Sequence, residues 1–138
     1  MSQHLHLMES LERDDDYGMI HADLHVGNIV YQHGKPFPID FGRCGFGFHL
    51  YDIAQSIMGL YPNQREQFIE GYQKVKQLSE SAIPMLESFF FMSIIEAYSF
   101  HAENVLETEG LNEEQPYAQA LLRAYVNGEP FLFQPLAI

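Results

Sequence analysis

"HADLHVGN", residues 21–28, followed by "IDFG" at 39–42, decides how this chain is understood. His21, Asp23, His25 and Asn28 alternate with small and apolar residues, and a second acid, Asp40, comes twelve positions after Asn28. Between them, "NIVYQ" and "FPIDF" are short β-rich runs joined by "HGKP", where Gly34 and Pro36 signal a turn, so a small hairpin is expected. "GRCGFG" then places three glycines in six residues, which predicts a loop with unusual backbone angles.

Outward from this cluster the pattern is helical. Leu5, Met8 and Leu11 recur at helical spacing, predicting a helix over about 3–13. It should stop before Asp14–Asp16, because carboxylates oppose the dipole at a helix C-terminus. Leu50, Ile53, Ala54, Ile57 and Met58 form one apolar stripe. Pro62 and Asn63, with Glu66, suggest a stop and a capping-box restart. Gly71 inside the next helix would cost about 1 kcal/mol against Ala, which predicts a close helix crossing there. A long helix is expected over about 82–108, capped by Ser81 and ended by Gly110, and a last one over about 114–126, stopped by Gly128 and Pro130. The fold class is α+β, mostly α, in one unit spanning 1–138.

Composition narrows the function. The 138 residues are 46% hydrophobic and 14% aromatic, with eleven Phe, eight Tyr and no Trp, so a folded core is expected. A net charge of -12 with only seven Lys and Arg leaves no cationic surface for nucleic acid or anionic membranes. Cys44 has no second cysteine to pair with, which favours a reducing compartment. The N-terminus has neither the cationic start nor the apolar run of a signal peptide, and "FFFMSII" at 89–95 is too short to span a bilayer. A cytoplasmic protein is expected.

Three chemistries compete for the polar cluster. In an extended strand, His21, Asp23 and His25 would share one side, a zinc-like three-ligand face. Alternatively, the same side chains cap backbone groups of tight turns. Phosphoryl transfer is the third, since it needs a proton acceptor for the attacking hydroxyl and divalent metal to neutralise the phosphates. An Asp, an Asn five positions on, and a second Asp after a hairpin supply oxygen ligands suited to Mg²⁺.

"HADLHVGN" with "IDFGRCGFGFHLYDIA" resembles the aminoglycoside phosphotransferase and choline kinase family, relatives of the protein kinases; "REQFIEGYQKVKQLSE" at 65–80 is similar to the helix that follows in bacterial members. The resemblance runs from about Gly18 to His101. It implies a catalytic loop at 21–28, a metal-binding loop at 39–47 and a helical region at 50–126. By it, Asp23 is the catalytic base, Asn28 and Asp40 hold Mg²⁺, and the phosphate donor is ATP or GTP. His21 bonds backbone near Asp40 and ties the loops together. His25 either donates to the transferred phosphate or orders the loop. Asp52 bonds backbone amides of the catalytic loop as scaffold. Arg43 stands where the family often carries an acid, and Cys44 is an inert thiol.

The acceptor implied is a small molecule with a hydroxyl, possibly drawn to acids such as Glu103, Glu107 and Glu109, which equally suit a solvated helix face. Only 17 residues precede Gly18, so the resemblance covers a protein-kinase-like C-terminal lobe, with the N-terminal lobe that carries the nucleotide-binding Lys absent. Little activity is expected from such a chain alone. A homodimer, or a partner covering the missing-lobe surface, is expected to shield its apolar patch. The alternative is a non-catalytic kinase-like binding or regulatory module.

Overall fold

The computed structural model describes residues 13–104 and 108–137. The helix expected over about 3–13 lies almost wholly outside them. In chain order the elements are α1 (Arg13–Asp16), β1 (Tyr17–Ile20), a 3-10 turn (Val26–Asn28), β2 (Ile29–Gln32), β3 (Lys35–Pro38), β4 (Gly45–Phe48), α2 (His49–Ile57), α3 (Pro62–Gln73), α4 (Ala82–His101) and α5 (Thr108–Asn127). The class is α+β and mostly helical.

The helical layer forms because each stripe finds a partner. Leu50, Ile53, Ala54 and Ile57 of α2 pack on Met85, Leu86, Phe89 and Phe90 of α4, and Leu121 and Ala124 of α5 close the cluster. Burying side chains of this size stabilises by roughly 1.5–3 kcal/mol each. Helix α5 ends in two bonds, Gly128 N–H to Tyr125 O (3.2 Å) and Glu129 N–H to Ala124 O (2.9 Å), with Gly128 at φ 71°. That left-handed glycine turns the chain so that Phe131 and Leu132 re-enter the core. Helix α4 has twenty residues and is long and apolar enough, by length and composition, to cross a membrane; here its Met85, Leu86, Phe89, Phe90 and Ser93 face is buried inside the fold.

Two small antiparallel sheets carry the polar loops. The expected hairpin is β2–β3, with Ile29 opposite Pro38 and Gln32 opposite Lys35. The second sheet pairs β1 with β4, Tyr17 opposite Phe48 and Ile20 opposite Gly45. This corrects the glycine loop. Gly45 and Gly47 lie in a strand, and among the described residues the positive-φ glycines are Gly34 and Gly128. Glycine is needed at 47 for space, since a Cβ there would sit 2.5 Å from Ile20 Cδ1.

Other expectations shift by a turn or less. Helix α1 spans Arg13–Asp16, where a stop is expected, and Lys76 Nζ donates to Asp15 O at its C-terminal end. The box opening α3 belongs to Tyr61 and Gln64, whose Oε1 accepts from Tyr61 N at 2.9 Å. Among the described residues nothing lies within 4 Å of a Cβ at Gly71, so none of their helices crosses closely there. Gly110 lies inside α5, and α4 ends earlier, at His101.

Candidate functional site

Residues 21–28 leave β1 and reach β2 by one tight path. His21 is buried and uses both ring nitrogens. Nε2 lies 2.8 Å from Ile39 O, a group that only accepts, and Nδ1 accepts from Asp23 N–H at 3.3 Å. The ring is therefore the neutral Nε2–H form. Phe41 packs against it, ring centroids 4.7 Å apart.

Asp52, in the first turn of α2, takes two successive amides of this loop: His21 N–H on Oδ2 (3.1 Å) and Ala22 N–H on Oδ1 (2.8 Å). Ala22 sits at φ 65°, a left-handed conformation that costs a non-glycine residue roughly 1–2 kcal/mol. The paired bonds to a carboxylate offset that strain.

The chain then turns Asp23 and Asn28 together. Asn28 is buried, and its Nδ2 donates to Asp23 O (2.8 Å) and to Asp23 Oδ2 (3.3 Å). Both partners accept only, which fixes the amide with Nδ2 toward Asp23; Oδ1 takes no hydrogen bond from the described residues. His25 caps the 3-10 turn, its Nδ1 accepting from Gly27 N–H at 3.1 Å, while Nε2 stands 3.9 Å from Asp23 Oδ1.

Ile39 joins the second acid to this loop. Its N–H donates to Asn28 O (2.9 Å) and its carbonyl accepts from His21. Asp40 follows, its Cα about 3.8 Å from that of Ile39, at φ 60° with an exposed carboxylate. That carboxylate bonds to none of the other site side chains among the described residues. The structure thus brings Asp23, His25 and Asn28 into mutual contact, tethers Asp40 through Ile39, and places His21 and Asp52 behind the loop as its braces.

The zinc-like face does not form. Among the described residues no three His, Cys, Asp or Glu side chains gather as metal ligands, and both His21 nitrogens are committed to the backbone. Amide and carboxylate oxygens of the kind Asn28 and Asp40 carry are the hard donors that Mg²⁺ or Ca²⁺ takes.

Two contributors escaped sequence reasoning. Ile39 acts through its backbone, which residue type does not advertise. Gly27 leaves room for the His25 ring, since a Cβ would lie 2.9 Å from His25 Cε1. Beyond the loop, Tyr51 donates to Glu96 Oε2 at 2.7 Å, and burial, then the Glu96 carboxylate, push its phenol above 10.0. Glu103 and Glu109 are exposed, and Glu107 lies outside the described residues.

Similarity to known proteins places the fold. The amicoumacin kinase of Bacillus subtilis (strain 168) is 28% identical over 143 residues, covering 90% of this chain and 42% of that protein. Among solved structures, the amicoumacin kinase hAmiN in complex with AMP-PNP, Ca²⁺ and Ami superposes with a TM-score of 0.66 at 21% identity, over 96% of this chain and 45% of that one. A microcompartment-associated aminopropanol kinase gives 0.67 at 24% identity, over 92% and 44%. The chain therefore spans less than half the length of these relatives and shares their fold over that span. The profile of the phosphotransferase enzyme family matches residues 3–83, more than half of the sequence, and the chain belongs to that family.

Proposed function

We propose that this chain is the acceptor-side, metal-holding part of an ATP-dependent phosphotransferase that phosphorylates a hydroxyl group of a small molecule. It corresponds to the C-terminal lobe of a kinase-like fold, as one unit with the catalytic loop at 21–28. The observation that carries this is the closed pair of Asp23 and Asn28, joined through the His21 ring and the Asn28 carbonyl to Ile39, the residue preceding Asp40. Asp23 accepts the proton of the attacking hydroxyl. Its carboxylate keeps Oδ1 open while Asn28 holds Oδ2, so one oxygen is oriented and the other is available.

Asn28 Oδ1 and Asp40 would hold the divalent metal, Mg²⁺ in the cell. Bound there, the metal neutralises phosphate charge, the main requirement of this reaction. His21 and Asp52 keep the loop in register. A relative solved with AMP-PNP and Ca²⁺ supports ATP and a divalent ion as ligands. Exposed Val30, Tyr31, Phe37, Ile39, Phe41 and Phe46 around the hairpin support a homodimer, which sedimentation at micromolar concentration measures. The compartment proposed is the cytoplasm.

Calorimetry tests the assignment. ATP should release heat only with Mg²⁺ present, and Asp40→Asn or Asn28→Ala should abolish it. Asp23→Asn should keep the binding heat, because Asp23 is assigned to the acceptor's proton and not to the metal. Metal-independent heat, or heat unchanged in Asp40→Asn, refutes it. No heat at millimolar ATP and Mg²⁺ favours a kinase-like binding or regulatory module without chemistry.

A further inference from the structure

We propose that His25 positions the acceptor, its Nε2–H and Asp23 Oδ1 holding one alcohol oxygen between them; this rests on the phosphotransferase assignment above. The ring has no freedom of tautomer. Gly27 N–H donates to Nδ1 at 3.1 Å, so the ring proton sits on Nε2. Its place depends on Gly27, where a Cβ would lie 2.9 Å from Cε1 and 3.0 Å from Nδ1.

Fixed in this way, Nε2–H faces Asp23 Oδ1 across 3.9 Å, too far for a direct hydrogen bond. Neither atom is satisfied by another described residue. Asp23 Oδ2 is the oxygen that Asn28 Nδ2 engages. Both side chains are open to solvent, His25 at 51% and Asp23 at 29%. An unfilled donor and an unfilled acceptor therefore face one opening.

One oxygen fits that gap. Two hydrogen bonds of about 2.8 Å spanning 3.9 Å meet at about 90°. The bridging group must accept from His25 and donate to Asp23. Water and an alcohol do both, so an alcohol can take the water's place without losing either bond, whereas an ammonium only donates and a carbonyl only accepts. In transfer, the hydroxyl proton passes to Asp23 Oδ1 as the oxygen bonds the terminal phosphorus of a nucleoside triphosphate. The bond from that phosphorus to its bridging oxygen breaks, and the nucleoside diphosphate leaves with the electron pair. His25 keeps its proton throughout and occupies the lone pair not used in attack.

The test is made by NMR on the full chain, with aminopropanol as the alcohol and propylamine as its analogue without the hydroxyl. Long-range ¹⁵N–¹H spectra should show His25 as Nε2–H, and aminopropanol but not propylamine should shift Nε2. His25→Asn, which keeps an acceptor near Gly27 N–H but lacks the distal donor, should weaken aminopropanol binding about tenfold. Gly27→Ala, which retains every polar group but displaces the ring, should do the same. His25→Gln, which returns an N–H near the Nε2 position, should recover part of the loss. An Nδ1–H tautomer, equal shifts from the two amines, or unchanged affinity in His25→Asn overturns the proposal. These spectra need neither metal nor nucleotide, so failure here leaves the calorimetric result intact, and a calorimetric failure with these shifts present would show hydroxyl binding without the transfer role on which the proposal rests.

Discussion

Removing the Asp52 carboxylate should loosen the loop that presents Asp23, in a way that depends on residue 22. Asp52 accepts at 3.1 Å from His21 N–H and at 2.8 Å from Ala22 N–H. Hydrogen bonds to a charged group contribute about 1.5–3 kcal/mol each, and the half-buried setting argues for the lower end, so Asp52→Ala should cost about 3 kcal/mol. Asp52→Asn retains one acceptor but turns an NH₂ toward the other amide, and should cost about 2 kcal/mol.

Ala22 supplies the internal control. At φ 65° it carries strain that glycine lacks, so Ala22→Gly in the parent should stabilise by about 1 kcal/mol. Once Asp52 is gone nothing holds residue 22 in that conformation, and the same change should become neutral or slightly unfavourable, because glycine only adds disorder to the unfolded chain. The two substitutions should thus couple by about 1 kcal/mol. Urea unfolding of the four proteins, followed by far-ultraviolet circular dichroism since the chain lacks Trp, measures the cycle. Additivity within about 0.5 kcal/mol would mean that Asp52 does not hold Ala22 in its strained form.

Three further outcomes follow from other parts of the fold. Gly47→Ala forces a Cβ to 2.5 Å from Ile20 Cδ1 and should destabilise by about 1–3 kcal/mol, read as a lower urea midpoint, whereas Gly71→Ala, facing open space, should stabilise. Arg65 is buried, donates to Leu132 O (3.2 Å) and Tyr117 Oη (2.9 Å), and lies 4.7 Å over Phe90; Arg65→Lys keeps the buried charge but loses the fork, and should lower thermal stability by about 2–4 kcal/mol, more than Arg65→Met. Burial pushes the Glu87 carboxyl above 4.5 despite the Phe131 N–H that it accepts, so the native state binds a proton more readily than the unfolded one and stability falls as pH rises through that raised value; Glu87→Gln should therefore be more stable than the parent at neutral pH, with the gap closing in acid.

How much of this was legible depends on whether the determining contact is local. The α2 stripe declared itself because Leu50, Ile53, Ala54 and Ile57 recur at the helical period, and all four are buried. The β2–β3 hairpin was legible from "HGKP", since the turn chemistry sits within the segment. The β1–β4 pair was not. "YGMI" and "GFGF" are glycine-broken runs, and the reason for Gly47 is a methyl group on Ile20, twenty-seven residues earlier in the chain. The end of α1 is hidden for the same reason, because the cation that reaches it is Lys76.

At the site, residue types were legible and side-chain directions were not. Three polar residues at alternate positions share a face only if the backbone between them stays extended. Ala22 breaks that condition by turning left-handed, so the buried His21 points back to Ile39 while His25 faces solvent. The sign of that one dihedral is set by a carboxylate on α2, thirty residues further on, and no periodicity within 21–28 contains it. The same contact that hid the geometry also keeps it: with two amides anchored to α2 and Ile39 bonded to both ends of the loop, Asp23 is presented by the core and not by the loop's own preferences. Substitution of Asp52, which makes no contact with Asp23, should therefore change Asp23's orientation as surely as substitutions beside it.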